Sequence, residues 1–278
     1  MVQLSNELMT LRRQLLRLRG DSKIFPDASV VIPVNAQTDL VTVFQVLFDI
    51  GRYSGNKSVE IILVVNNYAD GNPPNEVETY RELGINVIAI PKIDRNTKII
   101  SIPQAARIPG IQMAQSETIL LFDADCRIPH ATDLIDWYVS QFEKGFDLAY
   151  THVDYFDLPS GFSVKVRMFI HHSSRWFRRT VLGLPTSRGS NYAIRKKLIL
   201  ELFAQRRVLQ EVSVGPVVKT IGGKIAYSGA KKLIVYTSGR FFSGGWKELF
   251  SYLIWRVGFY NRILTMKSKT ADTDQQEI

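Results

Sequence analysis

The chain has 278 residues, 45% of them hydrophobic and 22% charged, with 35 Lys and Arg against 26 Asp and Glu and a formal net charge of +9. That balance excludes a wholly disordered chain and describes a globular protein with one large core or two smaller ones, while the excess of positive charge fits an anionic partner. A single cysteine, Cys126, excludes an internal disulfide framework and a cysteine-rich zinc site. No apolar run reaches the roughly 18 residues of a bilayer span and the N-terminus lacks a signal-peptide core, so the expected location is the cytoplasm.

Taken in chain order, residues 1–27 form a first region whose stretch 2–19 predicts a basic amphipathic helix. Leu4, Leu8, Leu11, Leu15 and Leu18 recur at helical spacing with Arg12, Arg13, Arg17 and Arg19 between them, and Gly20-Asp21 ends the pattern. The apolar stripe either packs on the domain or a partner subunit, or lies on the cytoplasmic face of a membrane as a peripheral contact. Ala28 to Val34 is a short β-branched run and predicts a buried strand. A helix is expected over 39–52, a second strand over 59–65 ending in Asn66-Asn67, a loop at Asp70-Gly-Asn-Pro-Pro74 and a helix over 76–83. A third strand over 86–90 and a helical pattern over 102–114 follow, with Pro103 and Pro109 blurring the helix limits.

The fourth strand, 118–122, ends abruptly in Asp123-Ala124-Asp125. Alternate residues of an extended chain share a face, so both carboxylates point into the crevice where open α/β sheets bind ligands. Two like charges so close favour a cation between them, and an oxygen-only pair suits Mg²⁺ or Mn²⁺ completed by substrate phosphates and water. The same pair can also cap a helix or close a turn. A helix over 131–142 and a strand over 147–153 come next, after which the alternation turns irregular and rich in arginine and aromatics. Repeated strand–helix alternation predicts a mostly parallel, doubly wound sheet, with the later stretch wrapped on the same sheet.

Four further motifs accompany the acidic pair: Val31-Ile-Pro-Val-Asn-Ala36, Val64-Val-Asn-Asn-Tyr-Ala-Asp70, Ala106-Arg-Ile-Pro-Gly110 and Arg188-Gly-Ser-Asn-Tyr-Ala-Ile-Arg195. In this order they resemble family 2 glycosyltransferases with a GT-A fold, over residues 28–245. The resemblance implies an α/β, Rossmann-like single domain with a nucleotide-binding half, 28–130, and an acceptor half, 131–245, followed by an amphipathic C-terminal helix and polar tail over 246–278. It implies an inverting transferase that moves a sugar from a nucleoside-diphosphate sugar, UDP-sugar first among them, to the hydroxyl of a saccharide or lipid-linked acceptor, with Mn²⁺ or Mg²⁺ on the diphosphate. Donor contacts would come from Pro33, Asn35, Asn66, Asn67, Arg107, Asp123, Ala124, Asp125, Gly189, Ser190, Asn191 and Arg240, and metal ligation from Asp125 and Asp123.

By the same resemblance the base stands ahead of the Gly222-Gly223 turn, which places Glu211 where the family has Asp and Gln210 where it has an acidic neighbour. A glutamate reaches one methylene further and can serve, while a solvated Glu at a helix start is the alternative. Asparagine at 66 and 67 replaces the common Asp, and Ala36-Gln37 stands where an acid is frequent. These departures support a second expectation, a nucleotide-binding scaffold without turnover. Arg175, Arg178 and Arg179 beside Trp176 and Phe177 form either a wall for an anionic group or an exposed basic helix face. His171-His172 point in different directions on a helix and Cys126 has no activating neighbour. A phosphatase of the dehalogenase type needs its acidic pair after the first strand, which fails here, and the scattered basic residues predict no nucleic-acid partner.

Overall fold

The computed structural model describes residues 5–20, 25–69, 71–93, 101–207, 210–239, 245–247, 250–251 and 253–254. Seven strands make the main sheet: β1 (Ala28–Asn35), β2 (Val59–Asn66), β3 (Asn86–Ile90), β4 (Thr118–Phe122), β5 (Leu148–Thr151), β7 (Asn191–Arg195) and β8 (Ile225–Ser228). Their order is β3-β2-β1-β4-β7-β5-β8. All neighbours are parallel except β7, which runs against both β4 and β5. Two short strands, β6 (Val153–Tyr155) and β9 (Val235–Thr237), pair in parallel as a separate ribbon.

Alternation along the buried strands divides the core into two layers. Val30, Ile32 and Val34 of β1, with Leu120 and Phe122 of β4, face α1 (Asn6–Leu18), α2 (Val43–Gly51), α3 (Glu76–Glu82) and α5 (Ala131–Glu143). Val31, Ile119 and Leu121 face α4 (Ile102–Met113), α7 (Lys196–Ala204) and α8 (Val214–Thr220). Leu11, Leu15 and Leu18 of α1 are buried in the first layer, so its leucine stripe is spent on the domain. Leu4 lies outside the described residues.

Two sequence expectations shift. The helix expected from residue 39 starts at Val43, because Asp39 turns its carboxylate back to the Asn35 N–H (3.2 Å) and the Asn35 carbonyl accepts from the N–H groups of Thr38 and Asp39. The strand expected over 147–153 splits in two at His152. Its N–H donates to the Ser228 carbonyl while its own carbonyl accepts from Val235 N–H, which passes the chain from the main sheet to the ribbon. Ahead of β9 the chain makes a tight turn over Lys231–Leu233. Pro109, by contrast, stays inside α4, and Gly110 beside it lies so close to the sheet that an added Cβ would sit 2.6 Å from Val31 Cγ1.

α6 (Phe162–Thr180) joins β6 to β7. Among the described residues no helix is long and apolar enough to cross a membrane. The helix expected over 246–266 falls mainly outside the described residues, as do the polar tail, Asp70 and Arg240.

Candidate functional site

β1 and β4 are neighbours whose onward connections run in opposite directions across the sheet, and the C-terminal edge at that point is the natural ligand crevice of an open α/β sheet. A cavity of about 790 Å³ opens there. Pro33 and Asn35 at the end of β1, Asn66 at the end of β2 and Asn67 after it, Asp123, Ala124 and Asp125 after β4, Gly189 and Ser190 ahead of β7, and Glu211 all line it. Lys92, Tyr155, Arg188, Thr237 and Ser238 line it too, and motif reading gave none of these a role. Lys92 had one legible signal, its place just beyond β3 at the same sheet edge. Tyr155 and Thr237 had none, because they reach the cavity on the separate ribbon.

Asp123-Ala124-Asp125 is a turn beyond the strand, closed by Cys126 N–H on the Asp123 carbonyl at 3.2 Å. Both acids still face the cavity, so the shared direction comes from the turn. Asp125 accepts from Thr237 Oγ at 3.1 Å. Asp123 accepts from Arg107 Nη2, and Arg107 Nη1 lies 3.2 Å from Glu211 Oε1. Exposure of the side chains grades from 0% for Arg107 through 18% for Glu211 to 36% for Asp123. The guanidinium is thus a floor beneath two carboxylates that meet solvent, and Arg107 is not on the cavity wall. Burial pushes the Asp123 carboxyl up to about 6, against the pull of Arg107 and with Asp125 and Glu211 adding to the rise.

The glycine of the Gly-Ser-Asn loop is required by close approach. A Cβ on Gly189 would stand 2.6 Å from Glu211 Cγ and 3.0 Å from Arg107 Nη1, and the Gly189 carbonyl accepts from Arg107 Nη2 at 3.0 Å. Asn191 lies behind the cavity: fully buried, it accepts from the Tyr138 hydroxyl and donates to Thr151 Oγ. Cys126 Sγ bonds the Ser190 carbonyl at 3.3 Å and ties the acidic turn to that loop. Burial pushes its thiol up, which leaves it unreactive.

Asn66 is oriented by its surroundings. Its Nδ2 donates to the carbonyls of Val34 (3.1 Å) and Val64 (3.2 Å), which leaves Oδ1 as the acceptor of an amide that lines the cavity. Arg175 and Arg178 are buried, and Arg179 stacks 3.8 Å over the Tyr227 ring, so these three form neither an exposed basic face nor a wall of the cavity.

The acidic turn fits a hard divalent cation only in part. Its donors are carboxylate oxygens, as Mg²⁺ or Mn²⁺ require, yet among the described residues no group of three or more His, Cys, Asp or Glu is placed to hold a metal. Such an ion would need oxygens from a bound ligand to fill its shell.

No protein-family model and no curated protein sequence matches the chain. Solved structures do. A mannosyltransferase from Pyrobaculum calidifontis, in complex with GDP-Man and Mn²⁺, superimposes with a TM-score of 0.51 at 11% identity over 83% of this chain and 64% of that one. S. aureus TarS 1–349, in complex with UDP-GlcNAc, does so with a TM-score of 0.50 at 15% identity over 77% of this chain and 58% of that one. The chain therefore spans less than two thirds of the length of either. At such identity the likeness establishes the fold, a Rossmann-like GT-A architecture with a mostly parallel sheet flanked by helices.

Proposed function

We propose that the protein is a metal-dependent glycosyltransferase that takes a sugar from a nucleoside-diphosphate sugar and passes it, with inversion, to an acceptor hydroxyl on a saccharide or a lipid-linked saccharide. The observation that carries this reading is the gathering of Asp123 and Asp125, the Asn35-Asn66-Asn67 rim and Glu211 around one cavity at the sheet's switch point. The fold shared with the two nucleotide-sugar complexes supports it. Asp125, with Asp123 beside it, would hold Mn²⁺ or Mg²⁺, and the ion would supply positive charge for the departing diphosphate. Lys92 and Arg188 add fixed positive charge to the same cavity.

Glu211 is the base of this scheme. Its carboxylate accepts the proton of the acceptor hydroxyl as that oxygen attacks the anomeric carbon, and Arg107 and Ser101 Oγ (3.3 Å) hold it in place. The orientation of Asn66 adds an acceptor for a nucleobase donor. Such an acceptor pairs with the ring N–H of uracil, thymine or guanine and equally with the exocyclic amino group of cytosine or adenine, so it binds a base without selecting one. The resemblance makes a UDP-sugar the first donor to try.

Isothermal titration with UDP, GDP, ADP and CDP in Mn²⁺, paired with an assay of diphosphate release from the matching sugars, tests the scheme. UDP or GDP binding that is lost in Asp125→Ala supports it, and absence of any nucleoside-diphosphate binding sinks it. The engagement of Glu211 by Arg107 and Ser101 favours a second reading, a nucleotide-binding scaffold without turnover. Transfer that vanishes in Glu211→Gln while nucleotide binding persists excludes that alternative.

A further inference from the structure

α6 is built inside out for a helix in water. Its inward face carries Arg167, His171, Arg175 and Arg178, all buried. Its outward face carries Phe162, Phe169 and Trp176, seven residues apart, which are 84%, 72% and 54% exposed. Phe177 widens the exposed apolar surface, and Val181 and Leu182 continue it past the end of the helix. Scattered single apolar side chains on a surface need no explanation, but a heptad-spaced aromatic stripe over a whole helix does.

We infer that this face docks on an anionic lipid bilayer surface. Charge argues for lipid over a second protein: α6 has no Asp or Glu, its outward face carries Lys165 while Arg167, Arg175 and Arg178 turn inward, and the chain as a whole has a net charge of +9. Interfacial helices bury bulky aromatics at the headgroup boundary with basic residues beside them, and the outward face of α6 offers Phe162, Phe169 and Trp176 with Lys165. Lys165 is exposed and reaches headgroups beside the aromatic stripe, whereas the Arg179 guanidinium is held over the Tyr227 ring. The other side of the helix backs on the cavity: His171 Nε2 lies 3.3 Å from Arg188 Nη2 and 3.3 Å from the Tyr155 hydroxyl, and both partners line the cavity. Docking therefore holds the cavity about one helix diameter, roughly 10 Å, from the headgroups. The lipid contact itself requires no sugar transfer and goes beyond that proposal.

Vesicle co-sedimentation of the full chain without donor tests it, using phosphatidylcholine alone and phosphatidylcholine mixed with phosphatidylglycerol. The wild type should sediment with the mixed vesicles, and Phe169→Ser/Trp176→Ser should bind them at least about tenfold more weakly, since two large apolar anchors are lost. Both side chains are exposed, so the thermal midpoint and nucleotide affinity of the variant should stay at wild-type values. Equal binding to both vesicle types, or wild-type binding by the double variant, overturns the inference. Loss of binding only in Trp246→Ser/Phe250→Ser places the contact elsewhere and overturns it equally. Wild-type dimers in light scattering that become monomers in Phe169→Ser/Trp176→Ser would assign the stripe to a second copy.

Discussion

Replacing Arg107 with methionine removes the only described cation that touches both Asp123 and Glu211 and keeps most of the side-chain volume. Breaking a buried pair from one side costs about 3–5 kcal/mol, because the partner is left charged and unpaired. Here one guanidinium serves two carboxylates, but Asp123 is 36% exposed and Glu211 18%, so water takes over part of its task. The Gly189 carbonyl also loses its donor at 3.0 Å. The low end of the range, about 3 kcal/mol, is therefore expected at pH 8, or a fall in Tm of about 6–10 °C for a chain of this size. At pH 5 the deficit should shrink, because the Asp123 carboxyl, already pushed up to about 6, then takes a proton and needs no counter-ion. Thermal melts of Arg107→Met and wild type at the two pH values measure this directly. A loss below about 1 kcal/mol, or one equal at pH 5 and pH 8, would refute the picture of Arg107 as a shared counter-ion.

Other consequences can be checked as simply. Mn²⁺ alone should bind weakly, because the acidic turn offers only two carboxylates, and addition of UDP or GDP should raise its affinity at least about tenfold, read by calorimetry or electron paramagnetic resonance. Gly110→Ala should cost about 1–3 kcal/mol in urea unfolding, since the new Cβ would meet Val31 Cγ1 at 2.6 Å and Val64 Cγ2 at 2.9 Å; a neutral result would show that α4 can lift from the sheet. Burial, helped by Arg175 and His172 and opposed by Asp154, lowers His152 to about 4, and burial with Arg188 and Arg175 holds His171 well below its usual value. Unfolded histidines take up protons near pH 6.5 while these two do not, so stability present above that pH is lost as pH falls from 6.5 towards 4. Asp123 acts with the opposite sign in part of that window, so the comparison is between wild type and His152→Asn/His171→Asn, whose acid loss should be smaller.

Much of the fold was legible in the sequence because its strands are buried on both faces. Runs such as Val59 to Val65 admit little but a central parallel strand, and the five expected strand starts from β1 to β5 fall within one residue of those observed. Legibility failed where side chains folded back on the backbone, as at Asp39, or where a strand changed sheet, as at His152; neither event leaves a hydrophobic period to read. The acidic turn, the asparagine rim and Glu211 were recognisable one by one, and the sheet order brings them together. Arg107 is the instructive case. Its motif pointed to the donor, yet its burial and both its carboxylate partners come from contacts 16 and 104 residues away along the chain.

The one reversed strand has a wider effect. In a parallel strand the residues that follow it reach the crevice, but β7 runs the other way, so the residues that precede it do. Gly189 and Ser190 are those residues, and they are reached directly from α6 through only ten positions, 181–190. A short tether of this kind links the helix that carries the exposed stripe to the mouth of the cavity. If an occupant of the helix face changes affinity in the cavity, thermodynamic reciprocity requires a ligand in the cavity to change affinity at the helix by the same factor.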